Sequence, residues 1–168
     1  MLQLRPFTAA DEAAALAAHQ ELRAEGRGLL LDYLEGEPWD GYLSRIAANR
    51  RGERLRDGWV ALTFLAVTVD DRLVGALSIR HELNDWLAVY GGHVGYAIVP
   101  SQRRKGYATE ALRQGLEIAR SIGIDDVLVT CDVDNIASLR VIEKCGGEFE
   151  SVTDAAKGIA PKRRYWIR

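Results

Sequence analysis

The stretch from Val94 to Cys131 constrains the fold more than any other part of the chain. Val94 to Val99 reads as a strand and is stopped by Pro100. A basic loop follows, Ser101-Gln102-Arg103-Arg104-Lys105, and then Gly106. Ala108, Ala111, Leu112, Gly115, Leu116 and Ala119 make a clean helical stripe, so the spacing predicts a helix from about Tyr107 to Ile122. Val127 to Cys131 is a short apolar run, the pattern of a strand buried on both faces. A strand, a crossover helix and a buried strand imply a layered α/β arrangement.

The remaining segments extend that arrangement. Leu2 and Leu4 alternate as in a short strand, and Thr8 ahead of Asp11 and Glu12 suits a helix cap. An Ala-rich helix then runs to about Glu25, before Gly26 and Gly28. Leu29-Leu30-Leu31 has no clear period. Pro38 fits the first turn of a second helix carrying Trp39, Tyr42, Leu43, Ile46 and Ala47 on one face. Trp59 to Val69 and Leu73 to Ile79 read as strands joined by a tight turn at Asp70-Asp71. Leu83 to Gly92 reads as a loop. Asp134 or Asn135 caps a helix that ends at Gly146-Gly147, and Glu148 to Thr153 and Arg164 to Ile167 form a closing β-pair.

Composition narrows the function classes. The 168 residues fit one domain, and the net charge of −2 leaves no basic excess for phosphate neutralisation, which argues against a nucleic-acid binder. Met1 to Phe7 lacks the apolar core of a signal peptide, and no run is long enough to span a bilayer, so the expectation is a cytoplasmic protein without membrane contact. Cys131 and Cys145 lie outside any CxxC pattern and read as small buried hydrophobes, with no disulfide or zinc expected. No metal site is expected.

The loop between Pro100 and the helix is where the chemistry concentrates. A helix N-terminus offers free N–H groups, and its dipole favours an anion. Gly106 brings no side chain, so an anionic ligand can approach the backbone, and Arg103, Arg104 and Lys105 add positive charge at the rim. The physics is that of a phosphate or pyrophosphate cradle. GxxxxGK[ST] and GxGxxG are both absent, which excludes a Walker loop and a Rossmann fingerprint. The same residues also describe an ordinary strand-to-helix turn with solvated basic side chains.

Arg103-Arg104-Lys105-Gly106-Tyr107-Ala108 resembles the R/Q-x-x-G-x-G/A signature of the GNAT superfamily of acetyl-CoA-dependent N-acetyltransferases, in the same place between strand and helix. Asn135 to Gly146 is similar to the second cofactor motif of that family, and the resemblance covers roughly Trp59 to Ser151. His81-Glu82-Leu83-Asn84 and Gly91-Gly92-His93-Val94-Gly95-Tyr96 are similar to strings in an uncharacterised bacterial branch of predicted acetyltransferases. The fold implied is a single-domain α/β (α+β) GNAT-like fold over 1–168, with a mixed, mostly antiparallel sheet of about six to seven strands and about four helices. Acceptor-side variable helices would occupy about 9–58 and the cofactor-binding core about 59–151.

The resemblance also implies roles. Backbone N–H groups of Arg104, Lys105, Gly106, Tyr107, Ala108 and Thr109 would hold the pyrophosphate of acetyl-CoA, with Arg103 at the rim. The backbone of Ile98 and Val99 would pair with the pantetheine arm, and Asn135 and Ser138 would lie beside it. Read without the resemblance, Asn135 is a helix cap and Ser138 a first-turn polar residue. The acceptor amine is mostly protonated at neutral pH and needs a base with a pKa near the working pH. His93 is the first candidate, at a position where many relatives carry glutamate; a hydrogen-bonded histidine at a strand start is the other reading. His81 and Glu82 rank second, and Tyr96, whose neighbours suggest packing, is a weaker candidate. Ile142 stands where many relatives carry the tyrosine that protonates the leaving thiolate, a gap shared with the ribosomal-protein N-terminal acetyltransferase branch.

The expected reaction is acetyl transfer from acetyl-CoA to a primary amine, on a small molecule or a peptide N-terminus, by direct attack in a ternary complex. A homodimer is compatible with it. Glu35, Glu37 and Asp40 could attract a cationic amine, and Trp39, Tyr42 and Trp86 could line its pocket, or serve as solvated charge and core. The rival class is a non-catalytic acyl-CoA-binding sensor or regulatory module, and a third reading is a phosphate site for another nucleotide.

Overall fold

The computed structural model describes residues 1–156 and 158–168. Seven strands form one sheet: β1 (Leu2–Arg5), β2 (Leu62–Val69), β3 (Arg72–Arg80), β4 (Val94–Ile98), β5 (Val127–Asp132), β6 (Glu148–Val152) and β7 (Lys162–Ile167). Their spatial order is β1-β2-β3-β4-β5-β7-β6. Every neighbouring pair is antiparallel except β4 and β5. Four α-helices flank the sheet: α1 (Glu12–Arg23), α2 (Trp39–Arg50), α3 (Tyr107–Ser121) and α4 (Ile136–Lys144). This matches the expected fold class and element order. No helix among the described residues is long and apolar enough to cross a membrane.

Strand alternation divides the core into two layers. Leu77, Ile79 and Val94 face α3 and α4, where they meet Leu112, Leu116 and Ile142. Phe64, Ala66 and Ala76 face the other way and meet Leu22, Trp39 and Tyr42 of α1 and α2. Ser78 and Arg80 share the parity of Ala76, as Gly95 shares that of Ala97, so these positions belong to the α1/α2 face. Tyr96 has the parity of Val94 and packs in the α3/α4 layer.

Local chemistry explains the joints. Asp11 accepts hydrogen bonds from the Thr8 amide and hydroxyl at 2.7 and 2.9 Å while Arg5 holds both its oxygens at 2.7 Å. That pins β1 to the start of α1 and pulls the Asp11 carboxyl down to about 2. Asp70 and Asp71 both have positive φ (48° and 63°), as a two-residue hairpin turn requires. Leu29 and Leu30 are buried without forming a helix, so that apolar run is a loop laid on the core. Within the segment read as a loop, Leu87–Gly91 winds as a π-helical turn.

Candidate active site

Two divergences of backbone create the site. β4 and β5 pair only at Val94↔Val129 and then splay apart, because Gly92 and His93 stitch the start of β4 to β5 while Pro100 ends it. At that stitch the His93 amide donates to the Leu128 carbonyl at 2.7 Å, and the Leu128 amide donates back to His93 Nδ1 at 2.9 Å. Gly92 adopts φ 67°, and a Cβ there would lie 2.6 Å from the Leu128 oxygen, so the approach needs glycine. Beyond Val94 the β5-facing edge of β4 is open. The Val99 amide donates to Val74 of β3, so alternation turns the backbone groups of Tyr96 and Ile98 to that open edge.

The second divergence is the entry to α3. A short 3-10 turn, Pro100–Gln102, leads to Arg104 (φ 64°) and Gly106 (φ 81°), both left-handed, which bend the chain sharply into the helix. No side chain caps α3. Among the described residues the six consecutive amides of Arg104 to Thr109 have no hydrogen-bond acceptor. Such a run of unpaired N–H groups at the positive end of a helix dipole is an anion cradle.

The cleft between the splayed strands has a volume of about 350 Å³ and includes Tyr96, Asn135 and Ser138 in its walls. Asn135 caps α4, its Oδ1 accepting from the Ser138 amide at 3.1 Å. The hydroxyls of Ser138 and Tyr96 are 2.8 Å apart. Burial pushes the Tyr96 phenol well above its ordinary pKa, which keeps it a neutral proton carrier. Asp132 sits at the cleft's end, ion-paired to Arg27 and Lys162. A second cavity of about 390 Å³ opens on the α1/α2 face, between Leu31, Trp59, Trp86 and Leu87, with Asp57 among its lining residues. Arg80 lines both.

Several expected site residues are therefore together: the amides of Arg104 to Thr109 lie at one end of the open edge, and Ile98, Asn135 and Ser138 lie along it. Others are placed differently. Val99 has both backbone groups engaged, its amide on Val74 and its carbonyl by Gln102, so it has none to offer a ligand along β4. Arg103 turns away from the cradle: its guanidinium grips Glu25 at 2.7 and 3.1 Å and its Nε donates to the Ile98 carbonyl at 3.1 Å. Arg103 thus buckles the turn after α1 to the end of β4, while Arg104 and Lys105 remain exposed at the rim.

His93 also differs from the base expected of it. It is 8% exposed and lines neither cavity. Its Nδ1 lone pair is taken by the Leu128 amide, so in the neutral ring the proton resides on Nε2 and no free lone pair is left. Burial, with Arg80 nearby, lowers its pKa and keeps it neutral. His81 pairs with Thr63 at 2.9 Å, and neither His81 nor Glu82 lines a cavity. Trp39 and Tyr42 are core residues, whereas Trp86 is 53% exposed at the second cavity. Glu35 and Glu37 are ion-paired, to Arg23 and Arg45. Ile142 is wholly buried and has no proton to give. Two features were not read from the sequence: the open edge at Tyr96, and Arg80.

A splayed parallel strand pair with an uncapped helix at its mouth defines an α/β protein built to hold an extended ligand with an anionic end. The chain belongs to the acetyltransferase (GNAT) domain family, which it matches over residues 1–148, and it is an acyltransferase. It is similar to N-alpha-acetyltransferase 30 of Schizosaccharomyces pombe, 24% identical over 66% of this chain and 67% of that protein. The uncharacterized N-acetyltransferase YnaD of Bacillus subtilis is 32% identical over 46% of each chain, so the match spans about half the length of that relative. In three dimensions the chain resembles RimJ of Mycobacterium smegmatis in complex with CoA-disulfide, with a TM-score of 0.72, 20% identity, and coverage of 99% of this chain and 81% of that one.

Proposed function

We propose that the protein is an acetyl-CoA-dependent N-acetyltransferase that acylates a primary amine by direct attack in a ternary complex. The observation that carries this reading is the run of six unpaired amides from Arg104 to Thr109 at the mouth of the open β4 edge. The RimJ structure, a complex with CoA-disulfide, supports the choice of ligand. The residues fit the group: the amides and the rim charges of Arg104 and Lys105 suit its diphosphate, and the Ile98 amide with the Tyr96 backbone suits its amide-bearing arm as an added strand. Asn135 and Ser138 border that arm.

Acetyl-CoA supplies a thioester whose acetyl carbon accepts the amine. The chain's own contribution is mainly positional. The open-edge amide of Tyr96 or Ile98 is a donor for a developing oxyanion. Tyr96 Oη, held by Ser138 Oγ, is a proton-bearing atom in the cleft wall and takes the duty that Ile142 cannot. Among the described residues no histidine lines either cavity, and in this reading the amine attacks as its neutral minority form. Residues 9–58 would supply the acceptor side, as Leu31 and Asp57 do in the larger cavity, and 59–151 the cofactor side. The acceptor is a small molecule or a peptide N-terminus; N-alpha-acetyltransferase 30 among the relatives favours the α-amino class.

Release of free thiol from acetyl-CoA, followed across a panel of amines and peptides beside the thermal shift produced by CoA, tests the reading. Stabilisation together with amine-dependent thiol release is expected. Stabilisation without release by any amine would favour a binding module, and no stabilisation would overturn the reading.

A further inference from the structure

Arg80 is the last residue of β3 and, among the described residues, the one shared by the linings of the two cavities. It lies on the α1/α2 face of the sheet, opposite the face on which Tyr96 meets Ser138. Its guanidinium rests against Gly95: a Cβ there would be 3.0 Å from Arg80 Nη1 and 3.5 Å from Nη2. With no side chain at 95, the guanidinium can lie close to the sheet where β4 and β5 part.

The electrostatics are unusual for a half-buried arginine. Among the described residues no carboxylate lies within ion-pair distance of Arg80, and its guanidinium has no hydrogen-bond acceptor. Arg5, Arg45 and Arg103, by contrast, each grip carboxylates in short contacts. Burial pushes the pKa of Arg80 down with no neighbouring acid to oppose it, yet a guanidinium stays protonated. Partly burying an uncompensated charge costs some stability. Asp57 lines the α1/α2 cavity as well but makes no ion pair with Arg80 among the described residues; Asp132 is occupied by Arg27 and Lys162, and Ser78 Oγ is turned to the Gly95 carbonyl. A planar fork of donors left open to both cavities matches a carboxylate.

We infer that Arg80 recognises a carboxylate on the group being joined at the transfer site, so that the preferred acceptor is a small amino acid-like amine bearing a carboxylate. The inference rests on the acetyltransferase reading and deepens it by naming the acceptor class. The volume of about 390 Å³ on the α1/α2 face suits a small molecule, and Trp59, Trp86 and Leu31 supply apolar walls for its side chain. The same chemistry has a second source, a terminal carboxylate on the acyl chain, as in succinyl-CoA. Arg80 touches the acceptor or acyl group and not the bond being exchanged, so its part is specificity.

Rates with free amino acids and with their carboxamides, using acetyl-CoA, form the first arm. Rates with succinyl-CoA and acetyl-CoA, using a carboxylate-free amine, form the second. Each is measured for wild type, Arg80→Met and Arg80→Lys, with the CoA thermal shift of each variant. Loss of one charged hydrogen-bond partner predicts a fall of about 10–100-fold in kcat/KM for the carboxylate-bearing reactant, and little change for its neutral counterpart. Lysine, a point charge without the fork, restores only part of it. The ligand-free Arg80→Met protein should melt at or above the wild-type temperature, because an unpaired charge has been removed. A preference confined to the first arm assigns the carboxylate to the acceptor. A preference confined to the second overturns the acceptor assignment. Transfer with no carboxylate preference in either arm, or an equal fall for charged and neutral reactants with a lowered melting temperature, overturns the proposal. Wild-type protein that neither binds CoA nor releases thiol refutes the acetyltransferase reading itself, a distinct outcome.

Discussion

Replacing His93 separates a structural histidine from a base. In His93→Ala the Leu128 amide, on a residue with no exposed surface, loses its acceptor. An unsatisfied buried donor costs about 1–3 kcal/mol. The ring also packs edge-on against Trp166 at 6.4 Å between centroids, and its loss adds roughly 1–2 kcal/mol of packing. A total of about 2–5 kcal/mol corresponds to a fall in Tm of roughly 4–20 °C for a chain of this size. His93→Asn places an amide oxygen near the Nδ1 position and should recover much of that loss, whereas His93→Gln, whose polar group sits further out, should not. Thermal melts and pH profiles of kcat/KM provide the readout. Activity should follow stability in this series, and the wild-type rate should rise with pH in step with the free-amine fraction of the acceptor. The reasoning fails if Ala and Asn variants both melt at the wild-type temperature yet lose more than about 100-fold in rate together with an ionisation near neutrality.

Two further outcomes follow from the same geometry. Tyr96→Phe removes the proton-bearing hydroxyl beside Ser138 and should lower kcat by about 10²-fold or more while leaving the KM for acetyl-CoA near its wild-type value; an unchanged kcat contradicts the assignment. His19, His81 and His93 all have pKa values lowered by burial from the ordinary 6.5. The unfolded chain therefore binds these protons more readily, so their stabilising effect is complete above about pH 6.5 and declines as the pH falls below it. Asp11, at about 2, keeps its contribution through that window, so melts between pH 7.5 and 5.5 should show decreasing Tm, and a flat profile would count against neutral buried histidines.

What could be read from the sequence was whatever depends on near neighbours in the chain. The stripe from Ala108 to Ala119 gave α3, and the apolar run from Val127 gave β5, because each element records its own buried face. The glycine of the cradle was legible for the same reason, since a left-handed residue before a helix is a local demand. Pairings across the fold were not legible. Arg103 reads as a phosphate ligand until Glu25, 78 positions away, is seen to claim it. His93 reads as a base until the Leu128 amide, 35 positions on, occupies its lone pair. Arg80 carries no motif at all; its isolation is a property of what the fold leaves out of its surroundings. Leu29 to Leu31 lacks a period because a buried loop has none to show.

The central claim is that the bare amides ahead of α3 hold acetyl-CoA. Calorimetric titration of CoA and of ATP into wild type and Gly106→Val tests it most directly. At φ 81° a β-branched residue is strained, although no atom of the fold lies within 4 Å of the added Cβ, so the variant should fold while its cradle is distorted and obstructed. The account predicts CoA binding well above that of ATP in wild type, and a loss of about tenfold or more in the variant with its melting temperature largely kept. Equal binding of both nucleotides, or CoA affinity indifferent to Gly106→Val, would contradict it.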